Sequence, residues 1–150
     1  MADTVEKEKK EEKAVVDISA FFNRKNEEDG AWFEPNFNGT PLGIEFKVIG
    51  SNSNAAAKET ADYKREMAQI EGIKDEVKKN DREMDAIARY AAALVRDVRA
   101  KGNVAAQLNG KPLTYTKEAV YEIMLNSSVI ARAVLNFSFA DGNFINKNQL

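Results

Sequence analysis

The chain has 150 residues, 43% of them hydrophobic and 31% charged, with 22 basic and 24 acidic side chains and a formal net charge of −2. That length and apolar content suit one modest domain with a small core, and the near balance of charge excludes the strong field on which nucleic-acid binding relies. Cysteine and histidine are both absent, which excludes disulfides, thiolate metal sites, and the commonest general base and metal ligand.

Residues 1–15 carry Glu6-Lys7-Glu8-Lys9-Lys10-Glu11-Glu12-Lys13 at their centre. So polar a run cannot offset the entropy of ordering, and a disordered charged tail is expected before a single domain over residues 16–150. The tail has no apolar signal region, and no apolar run approaches the ~20 residues that span a bilayer, so a soluble intracellular protein with no membrane partner is expected. Asp17 can cap one helical turn that places Ile18, Phe21 and Phe22 on one face. Two adjacent phenylalanines there either dock on the domain or engage a partner.

Residues 31–50 read as a β-hairpin. Trp32 and Phe33 open one strand, Asn38-Gly39 supplies the turn, and Ile44-Glu45-Phe46-Lys47-Val48 alternates apolar and polar with period two. Pro35 has no amide to donate, which puts its strand at a sheet edge. Glu27-Glu28-Asp29, just before, reads as a solvated acidic turn.

Ser51-Asn52-Ser53-Asn54 is a helix-start signal, and residues 55–101 read as a long helical region bent near Asn80-Asp81. Tyr63, Met67, Ile70, Ile73 and Val77 form an imperfect stripe. Met84, Ile87, Ala88, Ala91, Leu94, Val95 and Val98 form a clearer one, with Asp81 as its cap and Lys101-Gly102-Asn103 as its C-terminal stop. Arg82, Arg89, Arg96 and Arg99 fall on the charged side, where removing Arg89 is expected to cost little.

Asn109-Gly110 tolerates the positive φ angles of a type I′ turn and joins short strands over 105–108 and 112–115. Thr116 can cap the next helix, with Glu118 near the positive end of its dipole. Val120, Ile123, Met124, Ile130, Val134 and Phe137 then recur at helical spacing through two short helices, and Asp141-Gly142-Asn143 stops the pattern before Phe144. The expected class is α+β: small antiparallel hairpins on a predominantly helical body.

No catalytic constellation emerges. Glu83 and Asp85 are two apart on one helix and do not face each other. Gly39, Gly43 and Gly50 punctuate a hairpin rather than form a phosphate loop. The chain is expected not to be an enzyme and to use no cofactor or metal.

Two blocks carry a family resemblance. One runs from Gly39-Thr40-Pro41-Leu42 through a strand to Val48-Ile49-Gly50-Ser51-Asn52-Ser53. The other is Asn109-Gly110-Lys111-Pro112-Leu113-Thr114-Tyr115-Thr116-Lys117-Glu118-Ala119-Val120 and the helix pair after it. In this order they resemble the tail assembly chaperones of long-tailed bacteriophages, in siphoviruses and myoviruses. Two features depart from that pattern: Val104, Ala105 and Ala106 stand where relatives carry a tryptophan, and Asn52 where they carry an acid.

The resemblance implies a non-enzymatic protein of the host cytoplasm, absent from the mature virion. Its partners would be the tape measure protein, which it keeps soluble, and the tail tube protein, which it helps recruit; self-association stays open. Such a protein needs an apolar groove rimmed by charge. Phe21, Phe22, Trp32, Phe137, Phe139 and Phe144 exceed the needs of a small core and are the candidate partner-binding residues. Phe139 and Phe144, at the end of the last helix, are expected to tolerate charge. A structural virion component, at the head–tail junction or on the tail tube, is the alternative, and a small nucleic-acid-binding regulator using the four arginines is a third.

Overall fold

The structure is a computed structural model describing residues 13–145, so most of the charged tail, residues 1–12, and residues 146–150 lie outside the described residues. The class is α+β, with 53% of the described residues helical and 17% in strands. A 3-10 turn at Ile18–Phe21 leads into helix α1 (Arg24–Asp29). Strand β1 (Ala31–Phe33), the small hairpin β2 (Asn36–Phe37) and β3 (Thr40–Pro41), and strand β4 (Ile44–Val48) follow. Helices α2 (Ala57–Glu71) and α3 (Glu76–Leu94) come next, then β5 (Val95–Ala100). A second small hairpin, β6 (Gln107–Leu108) and β7 (Lys111–Pro112), precedes α4 (Lys117–Asn126), α5 (Ser128–Phe139) and a closing 3-10 turn, Asp141–Phe144.

Both Asn-Gly turns form as their chemistry requires, with φ of 53° and 82° at Asn38 and Gly39 and of 53° and 80° at Asn109 and Gly110. Paired positive φ is the type I′ signature, and it suits the right-handed twist of the flanking strands. The main sheet is antiparallel in the order β1-β4-β5. Pro35 follows the edge strand β1 rather than lying in it, and its carbonyl accepts the Leu42 amide at 2.9 Å.

Residues 95–100 correct the helical expectation, because helix α3 ends at Leu94 and Val95–Ala100 is a strand paired with β4. Val95 and Val98 are three apart, a spacing that fits a helical stripe and conflicts with regular strand alternation. The register shifts between Lys47 and Val48, so that Val48 pairs with Val95 while Lys47 pairs with Asp97. Arg96 is the extra residue of this bulge, and both valines thereby face inward. Lys101-Gly102-Asn103 accordingly follows a strand and caps no helix.

The helical break also moves. α2 ends at Glu71 with Gly72 as its C-cap, and Asp75, not Asp81, caps α3 by accepting the Val77 and Lys78 amides. Asn80 and Asp81 ride on the solvent side of α3. Val77 is left 72% exposed instead of joining the apolar stripe.

α3 lies at the centre, packed against α2, α4 and α5. Ala88, Ala91 and Leu94 share the core with Phe46 and Val48 of the sheet, Val120 and Met124 of α4, and Ala131 and Val134 of α5. The last two helices meet at Ser127, whose amide donates to the Ile123 carbonyl while its hydroxyl accepts the Ile130 amide, so one residue closes α4 and caps α5. Phe137 stacks on Phe33 at 4.5 Å between centroids and meets Phe144 edge-on at 5.5 Å. Leu94→Ala should cost about 2–5 kcal/mol and Phe144→Ala about 3–5 kcal/mol in a urea titration, because both side chains are fully enclosed and their loss leaves a cavity.

Candidate functional site

Helix α4 stands as a ridge between two surface grooves. Thr116 starts it by accepting the Ala119 amide at 3.0 Å, and Val120 and Met124 are buried, pinning one face to the core. The flanks are then fixed by helical spacing: Glu118 and Tyr121 turn to one side, Glu122, Ile123 and Asn126 to the other. On the second side is an apolar groove of about 280 Å³. Leu42 and Ile44 come from the sheet, Leu108 and Leu113 from the β6–β7 hairpin, and Ile123 and Ile130 from the helices. Its rim is polar, and Asn109 donates to Glu122 across it at 2.8 Å. The groove on the first side, about 350 Å³, has a floor of Ala92, Ala93 and Val95, walls of Tyr115 and Tyr121, and a rim carrying Glu59, Arg96, Lys117 and Glu118.

Charge beside the groove walled by Tyr115 and Tyr121 is tied into one network. Arg89 pairs with Asp85 at 2.7 Å and with Glu66 of α2, and the Tyr121 hydroxyl donates to Asp85. Partial burial works against ionisation of Asp85, yet the Tyr121 hydroxyl and the Arg89 guanidinium together hold its carboxyl below the ordinary value. The same hydrogen bond to Asp85 raises Tyr121. Arg89 thus links α2, α3 and α4 from the charged side of the helix, where the sequence places it. The other three arginines also have internal partners: Arg82 lies 4.0 Å from Glu66, Arg99 bonds Glu45, and Arg96 reaches the Ala55 carbonyl.

The six partner-binding candidates separate. Phe21 and Phe22 are 48% and 68% exposed, and with Val15, Val16 and Ile18 they form an exposed apolar segment, so docking on the domain is not what they do. Ala20 is the buried residue of that turn. Trp32 lies on the outer face of the sheet, where the Arg99 guanidinium covers its ring at 3.8 Å. Phe137 is half-buried in the row with Phe33 and Phe144. Phe139 is half exposed beside Tyr90, which stacks on Tyr63 at 4.4 Å. Phe144 is corrected outright: it is fully enclosed beneath Phe137, so it offers no surface and cannot accept charge without disrupting the core.

The groove residues Leu42, Ile44, Leu108 and Leu113 escaped the sequence reading. A signal existed, since hairpins as short as β6–β7 cannot bury their own leucines and must lay them on something else. Among the described residues no three His, Cys, Asp or Glu side chains gather to hold a metal ion, and no helix is long and apolar enough to cross a membrane.

Arg89→Ala should destabilise the protein by about 1 kcal/mol near neutral pH, against less than about 0.5 kcal/mol for the exposed Arg132→Ala. Because Asp85 is depressed in the folded state, that deficit is complete above the ordinary aspartate value of 3.8 and shrinks as pH falls through the lowered one. Urea titrations at neutral pH and at successively lower pH below the ordinary aspartate value follow the decline. No protein-family model, curated protein or solved structure matches this chain.

Proposed function

We propose that this protein is an assembly chaperone that binds another protein, with the tape measure protein of a phage tail as its client and the tail tube protein as the component it helps to recruit. The observation that carries the reading is the apolar groove between β4 and α4, open to solvent and rimmed by Asn109, Glu122 and Asn126. An amphipathic helix buries its apolar face in a groove of this kind, with anchors about one turn apart. The exposed segment of Val15, Val16, Ile18, Phe21 and Phe22 adds a second apolar surface, larger in side-chain content than isolated surface residues need be. A client that is long, helical and apolar before assembly aggregates unless such surface is covered. The protein would act in the host cytoplasm and leave before the virion is complete.

The resemblance in the Asn-Gly-Lys-Pro-Leu block supports the same reading, since Asn109 and Leu113 of that block line the groove beside Gln107 and Leu108. The alternative is a structural virion component, for which the apolar segment would be a permanent contact. Protein mass spectrometry of purified particles distinguishes them: a stoichiometric amount in the virion supports the structural role and counts against the chaperone.

Co-expression should raise the soluble fraction of the tape measure client several-fold. Leu108→Glu, on the groove wall, should remove most of that gain while circular dichroism and the thermal midpoint stay near wild type, because Leu108 is only half-buried. Phe22→Glu tests the second surface in the same assay. A wild-type protein that leaves client solubility unchanged would sink the chaperone reading.

A further inference from the structure

Glu27 stands out among the charged residues because it is only 6% exposed and its Oε1 has no hydrogen-bond partner. Expected to belong to a solvated acidic turn, it is instead wedged beneath the surface by the close approach of Gly50: a Cβ at that position would sit 2.8 Å from Glu27 Cγ. The neighbouring residues fasten α1 on three sides. The Gly50 amide donates to the Glu27 carbonyl at 2.9 Å, the Asn26 side chain donates to the Phe144 carbonyl at 2.7 Å, and the Glu28 carboxylate accepts the Asn54 and Ala55 amides.

The groups around the Glu27 carboxyl are few. The C-terminal 3-10 turn that Asp141 opens packs directly on α1, tied to it by the Asn26 side chain, and brings the Asp141 carboxyl beside that of Glu27. Arg24 and Glu28 flank it on α1, and the segment from Gly50 to Asn54 brings no titratable side chain. Lys25 lines the shallow cleft of about 180 Å³ that opens beside Glu27, which gives protons a path to it.

We propose that Glu27 and Asp141 form a proton-operated latch that holds α1 against the C-terminal 3-10 turn, closed when Glu27 carries a proton that it offers to Asp141 and loosened when Glu27 gives that proton up. Two neighbouring carboxylates repel each other when both are charged, and a buried oxygen without a donor is costly unless a proton sits between the pair. Burial first, and then the hydrogen bond and charge of Asp141, raise Glu27 above the ordinary glutamate value; Arg24 opposes the shift and Glu28 adds to it. A raised carboxyl favours the docked state most below the ordinary value, and the advantage is lost as pH rises through the raised one. The chain just before α1 carries Ile18, Phe21 and Phe22. Closing the latch adds to the three fastenings that anchor that apolar segment, and opening it leaves α1 on those bonds alone, so that α1 and the segment before it open locally more often.

The test is amide hydrogen exchange on the full chain as a function of pH, corrected for intrinsic rates. The reporters are the amides of Glu27, Gly30 and Gly50, which donate to Asn23, Asn26 and Glu27 carbonyls, and amides in the middle of α3 serve as the control for global unfolding. In wild type the local opening constant should rise by up to ~tenfold per pH unit from the ordinary glutamate value to the raised one, then level off. Glu27→Gln, which keeps the shape and can donate to Asp141, should give a flat profile that stays protected at neutral pH. Asp141→Asn, at an exposed position that tolerates change, should narrow the pH window. A flat wild-type profile, or an Asp141→Asn profile superimposable on wild type, would overturn the proposal. So would protection at neutral pH restored by millimolar calcium or magnesium in wild type and not in Glu27→Gln, since that result assigns the pair to a cation.

Discussion

Helix α3 stops at Leu94, whose carbonyl accepts the Ile49 amide at 2.9 Å, and from that bond onward the chain runs as a strand beside β4. One residue thus joins the helical layer to the sheet. Leu94 itself is fully buried, so the helix end is held by apolar contact as well as by the hydrogen bond. Were α3 to continue, β4 would keep only the three-residue β1 as a neighbour, and a ribbon so short is marginal in water. The sheet exists because the helix ends there, and both grooves take walls from elements on either side of that junction.

Local chemistry was legible where a residue type has one structural use. The two Asn-Gly turns, the Thr116 cap and the Asp17 cap of the first turn all form at the expected positions. The stripe through Ala88, Ala91 and Leu94 is the core-facing side of α3. Long-range pairing was not legible. Val95 and Val98 continue the helical period without a break, and only β4 waiting for a partner, together with the bulge at Arg96, turns them into a strand. Tertiary context overrides a spacing that is locally ambiguous.

The candidate surface was legible by halves for a related reason. An excess of phenylalanine says that some apolar groups lack a place in the core, but not which ones. Phe144 finds a place under Phe137, Phe139 half finds one beside Tyr90, and Phe21 and Phe22 find none. The groove leucines were hidden because each sits in a segment too short to show a period. The burial of Glu27 was not legible, because nothing in Glu27-Glu28-Asp29 indicates that Gly50 comes close enough to cover the first of them.

The corner at Ser127 has a consequence for how this fold can vary. Since the same residue ends α4 and begins α5, there is no spare loop there to absorb a change in length. One residue inserted or removed would turn α5 by about 100° about its axis, lifting Phe137 off Phe33 and unseating Ser138, whose hydroxyl donates to the Ile49 carbonyl at 2.7 Å. Length variation must therefore accumulate elsewhere, in the stretch between β5 and β6 where residues 101–105 are all exposed. The helix pair behaves as a single moulded piece, and its neighbours are the parts free to drift.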